Sequence, residues 1–118
     1  MTVYLLIFYF LSFNAVEIQK KGIRKYHKGK YKEAIESFSK VKNSKKNFDY
    51  YFYFGHSHSL IGNNKLAITL YDSAINIDHR NDLIFFERGF SNFMIGNSNQ
   101  ALKDVNKAIK RGDFKKKD

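Results

Sequence analysis

Residues 55–74 read GHSHSLIGNNKLAITLYDSA, and the same pattern of small and large residues occurs once before and once after this stretch. The matching segments are GIRKYHKGKYKEAIESFSKV at 22–41 and GFSNFMIGNSNQALKDVNKA at 89–108. Each segment starts with a glycine, has a second glycine seven residues later, and has an alanine twelve residues after the first glycine. The segments are 33 and 34 residues apart, and this period indicates stacked helix-turn-helix units that share one continuous core.

The repeated small residues predict where helices approach each other. A glycine inside a helix costs about 1 kcal/mol relative to alanine, so its recurrence indicates close packing by a neighbouring helix. The repeat-packing residues are Gly22, Ala34, Gly55, Ala67, Gly89 and Ala101. The second glycines, Gly29, Gly62 and Gly96, are predicted to end the first helix of each unit in a left-handed conformation. The predicted helices are 16–28, 31–43, 48–61, 64–77, 82–95 and 98–110.

The pattern resembles that of the tetratricopeptide repeat. The early aromatic position of that family has counterparts at Ile18, Tyr51 and Phe85, whereas the family's closing proline is absent from all three units. The resemblance implies an all-α fold, a right-handed α-solenoid of three helix-turn-helix units. The implied units are 15–47, 48–81 and 82–115, followed by a basic tail at 116–118.

The resemblance also implies a protein-interaction module, because the first helices of such units line a concave groove that receives peptides. Residues 48–54 read FDYYFYF, and rigid aromatic side chains dominate binding energy at interfaces. The implied peptide-binding groove comprises Tyr26, Phe52, Tyr53, His56, Phe86, Phe90 and Phe93. The alternative for each of these residues is packing between helices.

One specialised activity of the family is not expected. Some members bind chaperone C-termini through a carboxylate clamp of basic and amide side chains. The clamp positions here hold Gln19 and Ile23 in the first unit and Phe86 and Phe90 in the third, with His56 in the middle unit. Without a cation at these positions, a carboxylate lacks charge-assisted hydrogen bonds.

The first fourteen residues, MTVYLLIFYFLSFN, carry no charged side chain. The apolar run is too short for a bilayer span, which needs about 20 residues, but it has the length of a signal-peptide core, with Ala15 at a candidate cleavage site. Residues 1–14 are therefore interpreted as a signal peptide or membrane anchor, with a helix that caps the first unit as the alternative. An exported or membrane-associated protein is favoured over a cytoplasmic one, and the segment also allows oligomer formation.

The net charge of +10 gives an alternative function. Residues 20–46 contain eleven lysines and arginines against two acids, so a basic surface could dock on an anionic membrane, an acidic partner or nucleic acid. Only four of the 21 basic residues are arginine, and arginine's planar fork is preferred for recognition of phosphates and bases. Nucleic acid is therefore the least favoured of these partners.

The sequence contains no constellation typical of an enzyme. It has no cysteine, no nucleophile elbow and no phosphate-binding loop, and His56 and His58 fall on different faces of a helix. We expect no catalysis, metal, cofactor or small-molecule substrate. At the end of the array, Gln100, Asp104 and Arg111 are predicted to form a polar outer face on the last helix.

Overall fold

A computed structural model describes residues 2–42 and 46–111, the last of these by its backbone alone. These residues form six α-helices and no strand. The helices are α1 (Val3–His27), α2 (Tyr31–Ser39), α3 (Phe48–Leu60), α4 (Asn64–Ile77), α5 (Asp82–Met94) and α6 (Ser98–Arg111). Each helix packs on its neighbours in the chain, and α3 also contacts α1 and α5. The first helices of the three units therefore line up side by side, as in a solenoid.

The turns within units follow the predicted glycine geometry. Gly29, Gly62 and Gly96 have φ angles of +73°, +90° and +85°, which confirms the left-handed conformation. The amide of the next residue then reaches back to a carbonyl five residues earlier. In the middle unit, for example, the Asn63 amide donates to the His58 carbonyl at 2.8 Å. This pattern satisfies the carbonyls at the end of the helix and reverses the chain within two residues.

Two helix boundaries differ from the predicted ones by more than one residue. Helix α2 ends at Ser39, because the amides of Lys40 and Val41 bond to carbonyls three residues back and close a tight last turn. Helix α1 begins at Val3 and runs without interruption to His27, so the apolar segment continues the first repeat helix. Residues 3–16 contain no proline or glycine that could end a helix. Residue 43, the predicted end of α2, lies outside the described residues.

The repeat-packing positions lie between paired helices. A Cβ atom added at Gly22 would stand 2.8 Å from the Phe38 ring, and one at Gly55 would stand 3.1 Å from the Tyr71 ring. Ala34 and Ala67 are fully buried. The core around them forms two clusters, one centred on Phe38 between the first two units and one centred on Tyr71 between the last two.

The predicted polar outer face of α6 is wrong for Asp104. Gln100 is exposed, but Asp104 is only 2% exposed. Its carboxylate accepts two hydrogen bonds from the Arg88 guanidinium, at 2.7 and 3.0 Å, and further bonds from Asn92 and Gln100. Burial of this charge is possible because every donor it needs surrounds it. The Arg111 side chain lies outside the described part of the structure.

Candidate interaction site

Four of the seven predicted groove residues are engaged inside the array. Phe52 is 9% exposed and packs in the cluster that also holds Tyr71, Ile84 and Phe85. The rings of Tyr26 and Tyr53 meet edge to face, with centroids 4.9 Å apart. These side chains join one unit to the next and are only partly open to a ligand.

His56 contacts polar side chains of both neighbouring units. Its Nδ1 lies 2.7 Å from the Tyr26 hydroxyl oxygen in the first unit, and its Nε2 lies 3.3 Å from a Glu87 carboxylate oxygen in the third. The Tyr26 hydroxyl and His56 Nδ1 share a hydrogen bond, and the imidazole lies within ion-pair distance of the Glu87 carboxylate. The pKa of Tyr26 is raised, first by burial and then by the neighbouring Tyr31, Tyr53 and Glu87. Tyr26 is therefore held in its neutral form, and the contacts of His56 connect α1, α3 and α5.

The other three predicted residues form an open apolar groove. Phe86, Phe90 and Phe93 are 50%, 46% and 66% exposed. Together with Leu102 and Val105 of α6 they line a concave space of about 360 Å³ whose walls include no charged side chain. We call this space the terminal groove, because it lies between α5 and α6 in the last described unit.

Repeat register explains why the terminal groove is apolar. Phe86, Phe90 and Phe93 occupy the positions that Phe52, His56 and Ser59 hold in the middle unit. There, each of these residues faces α5: Phe52 packs with Ile84 and Phe85, and His56 contacts Glu87. The Ser59 hydroxyl lies 3.3 Å from that of Ser91. The terminal groove is thus the surface on which a unit receives the next helix.

Sequence reasoning missed the contribution of α6. The predicted groove contained only residues of first helices, whereas Leu102 and Val105 form its opposite wall. A signal was present, since Val105 shares its repeat position with Tyr71, which is completely buried where α5 covers it. Comparing each unit's apolar positions with the unit that follows would have indicated both walls.

His58 of α3 is buried, and its Nδ1 lies 3.3 Å from the Asn63 side-chain nitrogen. Burial lowers the pKa of His58, which favours its neutral form. The described part of the chain holds no group of three or more side chains suited to a metal ion. Among its helices, none combines the length and apolar composition required to cross a bilayer.

Comparison with known proteins gives structural matches alone. No protein-family model matches the chain, and no curated protein sequence matches it. Among solved structures with a similar fold is the second TPR of Spaghetti (RPAP3) bound to the HSP90 peptide SRMEEVD, with a TM-score of 0.76, 21% identity and coverage of 84% of this chain and 93% of that one. The first TPR of the same protein, bound to the same peptide, matches with a TM-score of 0.75 and 19% identity, over 83% of this chain and 79% of that one.

A crystal structure of MamA is also similar, with a TM-score of 0.78 and 22% identity over 83% of this chain and 58% of that one. At these identities the likeness concerns the fold. It agrees with the six helices, the absence of strands in the described residues and the period of the glycines. The chain therefore has the tetratricopeptide-repeat fold, an all-α solenoid of helix-turn-helix units.

Proposed function

We propose that this protein is a non-catalytic interaction module that binds a helical segment of a partner protein in the terminal groove. The observation that carries the proposal is the contrast between equivalent positions. Phe52 is covered by α5 in the middle unit, whereas Phe86 at the same position is half exposed. A surface that receives a helix inside the array is already shaped to receive one from outside.

The chemistry of the groove favours an amphipathic helix as ligand. The helix that covers the equivalent surface of the middle unit supplies Ile84 and Phe85, so a partner helix that presents aliphatic and aromatic side chains fits the same kind of surface. Phe90 and Phe93 are flat, rigid side chains, and residues of this kind are frequent binding hot spots.

A different ligand is expected from the one bound by the structural neighbours. The RPAP3 domains were solved with an acidic HSP90 peptide. In the third unit of this chain, the positions at which some members of the family carry carboxylate-clamp residues hold Phe86 and Phe90, and the walls of the terminal groove include no charged side chain. An acidic peptide would find no charge-assisted hydrogen bonds there, and its carboxylates would lose hydration without compensation.

A photo-crosslinking experiment tests the proposal. A photoreactive amino acid at position 93, in the full-length protein in its native cell, should crosslink one partner segment with the pattern of an amphipathic helix. The variant Phe86→Ala/Phe90→Ala should weaken binding of that purified segment at least 30-fold, because each hot-spot side chain contributes about 2 kcal/mol. Its helicity should be unchanged, since both rings are about half exposed.

The matched control changes two equally exposed apolar residues on α4, Leu66→Ala and Ile77→Ala, which are 45% and 51% exposed. These changes should leave the affinity within about twofold. The proposal is wrong if the groove variant binds the segment normally, or if the α4 variant loses as much affinity as the groove variant.

A further inference from the structure

The N-terminal part of α1 is an exposed apolar rod. Every side chain from Val3 to Leu11 is aliphatic or aromatic and more than half exposed, with hydroxyl groups only on Tyr4 and Tyr9, and Phe13 is 56% exposed. Nine consecutive apolar residues span two and a half turns, so this arm has no polar face. An amphipathic helix lies on a protein or at a membrane interface, whereas a helix apolar on all sides is stable only where it is surrounded.

The same helix carries a basic stripe beyond the arm. Lys20 and Arg24 share one face of α1, and Lys28 follows at the same four-residue interval as the C-cap residue just after the helix. All three side chains are exposed. Lys21 and Glu17 flank the stripe. The Glu17 carboxylate lies 3.7 Å from the Lys20 Nζ. The neighbouring Lys25 is paired with Glu33 of α2 at 2.7 Å, so the stripe itself retains a net positive charge.

The juxtaposition of apolar arm and basic stripe on one continuous helix points to a ligand with both apolar and anionic chemistry. We propose that α1 docks on an anionic lipid bilayer, with residues 3–13 in the hydrocarbon of one leaflet and Lys20, Arg24 and Lys28 along the headgroups. Lipid covers all sides of the arm, whereas the terminal groove of a second copy would cover one side. A single apolar segment binds membranes marginally, and a basic patch supplies the second contribution that stable anchoring needs.

The dimensions define the mode of docking. The uncharged stretch from Thr2 to Val16 is about 21 Å long at 1.5 Å per residue. That length exceeds one leaflet, about 15 Å, but not the whole hydrocarbon core of about 30 Å. A strongly tilted helix places the arm in one leaflet and lays the stripe along the headgroups. The buried side of α1, which includes Gln19 and Gly22, then faces the array on the side away from the lipid.

The absence of tryptophan from the chain allows a direct test. Phe8→Trp places a single indole in the arm of the full-length protein, and Phe90→Trp places one in the terminal groove. Vesicles containing phosphatidylserine in phosphatidylcholine should shift the emission of Phe8→Trp to the blue and leave Phe90→Trp unchanged. Vesicles of phosphatidylcholine alone should give a much weaker shift.

Charge variants test the stripe. Replacing Lys20, Arg24 and Lys28 by Gln in the Phe8→Trp protein should weaken binding to the anionic vesicles roughly 100-fold, at about fivefold per basic residue. Replacing Lys65, Lys103 and Lys110 by Gln removes the same charge from α4 and α6 and should cost less than about threefold. Equal losses of vesicle affinity in both variants would contradict a specific role for the basic stripe in membrane binding.

Two further results would overturn the proposal as a whole. One is an unshifted emission of Phe8→Trp with anionic vesicles. The other is a blue shift in buffer without lipid that grows with protein concentration and disappears in a Phe86→Ala/Phe90→Ala background, which would assign the arm to the groove of a second copy. Leu6→Asp/Phe10→Asp, in the exposed arm, should abolish vesicle binding with unchanged helical circular dichroism.

Discussion

Two buried tyrosines differ in whether their hydroxyl groups are satisfied. The Tyr50 hydroxyl donates to the Phe38 carbonyl at 3.2 Å. The Tyr71 hydroxyl makes no well-formed hydrogen bond among the described residues, and the Ser59 hydroxyl near it is bonded to Asn64 and Ser91. Tyr50→Phe should therefore lower the free energy of unfolding by about 1 kcal/mol, and Tyr71→Phe should leave it unchanged or raise it. Urea denaturation of both variants measures the difference. A larger loss at Tyr71 would contradict this assignment.

The same tyrosines predict a loss of stability at alkaline pH. Burial raises the pKa of Tyr50 to about 12, and it raises the pKa of Tyr71 further, whereas an unfolded tyrosine has a pKa of about 10. The folded state therefore holds these protons more tightly than the unfolded chain does. The stabilisation from both groups is complete below pH about 10; the part from Tyr50 is lost as the pH rises from there through about 12, and the part from Tyr71 continues to fall at higher pH.

Urea midpoints measured from pH 8 to 12 should show this decline above pH about 10. In Tyr50→Phe the decline should be shallower, because one of the groups responsible is gone. A midpoint that stays constant over this range, or the same slope in the variant, would be inconsistent with the shifted pKa values.

Gly22 should tolerate a methyl group poorly. A Cβ at this position would stand 2.8 Å from the Phe38 ring, which is completely buried, meets Tyr50 edge to face and stacks with Phe54. Alanine gains about 1 kcal/mol in helix propensity, but overpacking costs about 1–3 kcal/mol. We expect a net loss of about 1 kcal/mol in Gly22→Ala, measured by urea denaturation. In a Phe38→Leu background the smaller side chain should remove that loss, and an unchanged cost there would disprove the steric explanation.

At the scale of an element, the guanidinium group of Arg88 links α5 to both α4 and α6. Arg88 binds Asp104 with two hydrogen bonds and reaches Asp72 at 2.8 Å. Arg88→Met leaves the Asp104 carboxylate buried without its cation and should cost about 3 kcal/mol of stability. The middle unit has Phe54 and Leu70 at these repeat positions.

The double variant Arg88→Phe/Asp104→Leu should therefore recover most of the stability lost in Arg88→Met, because an apolar pair replaces an ion pair at little net cost. Thermal unfolding of the two variants and the parent protein measures this. A double variant less stable than Arg88→Met would show that an apolar pair cannot replace the Arg88–Asp104 ion pair in the last unit.

These elements show which parts of the fold could be predicted from the sequence. Period and turn chemistry are local, so α4 and the turn at Gly62 were predicted to the residue. Asp104 was misplaced because charged residues at an end of an array usually face water. Its partner is sixteen residues away, and only the paired replacement of Phe54 and Leu70 by Arg88 and Asp104 hinted at it.

The first-helix wall of the candidate site could be predicted from repeat register, but the exposure of its residues and the α6 wall could not. Repeat register selects the same face of every first helix, and that face contains Tyr26, Phe52 and Phe86 alike. Whether a residue on it is core or surface depends on whether a following helix covers it, which is a property of the whole array. The amino-acid composition of a unit therefore does not predict whether a following helix covers this face.

At the scale of the whole molecule, this dependence gives a last prediction. Phe52 and Phe86 occupy the same repeat position, but they are 9% and 50% exposed because α5 covers only the first. Phe52→Ala should lower the free energy of unfolding by about 3 kcal/mol, and Phe86→Ala by less than about 1 kcal/mol. Partner binding should show the reverse order, since only Phe86 lines the terminal groove. Urea denaturation and a binding titration on the same two proteins check both halves, and equal stability losses would mean that an added helix already covers Phe86.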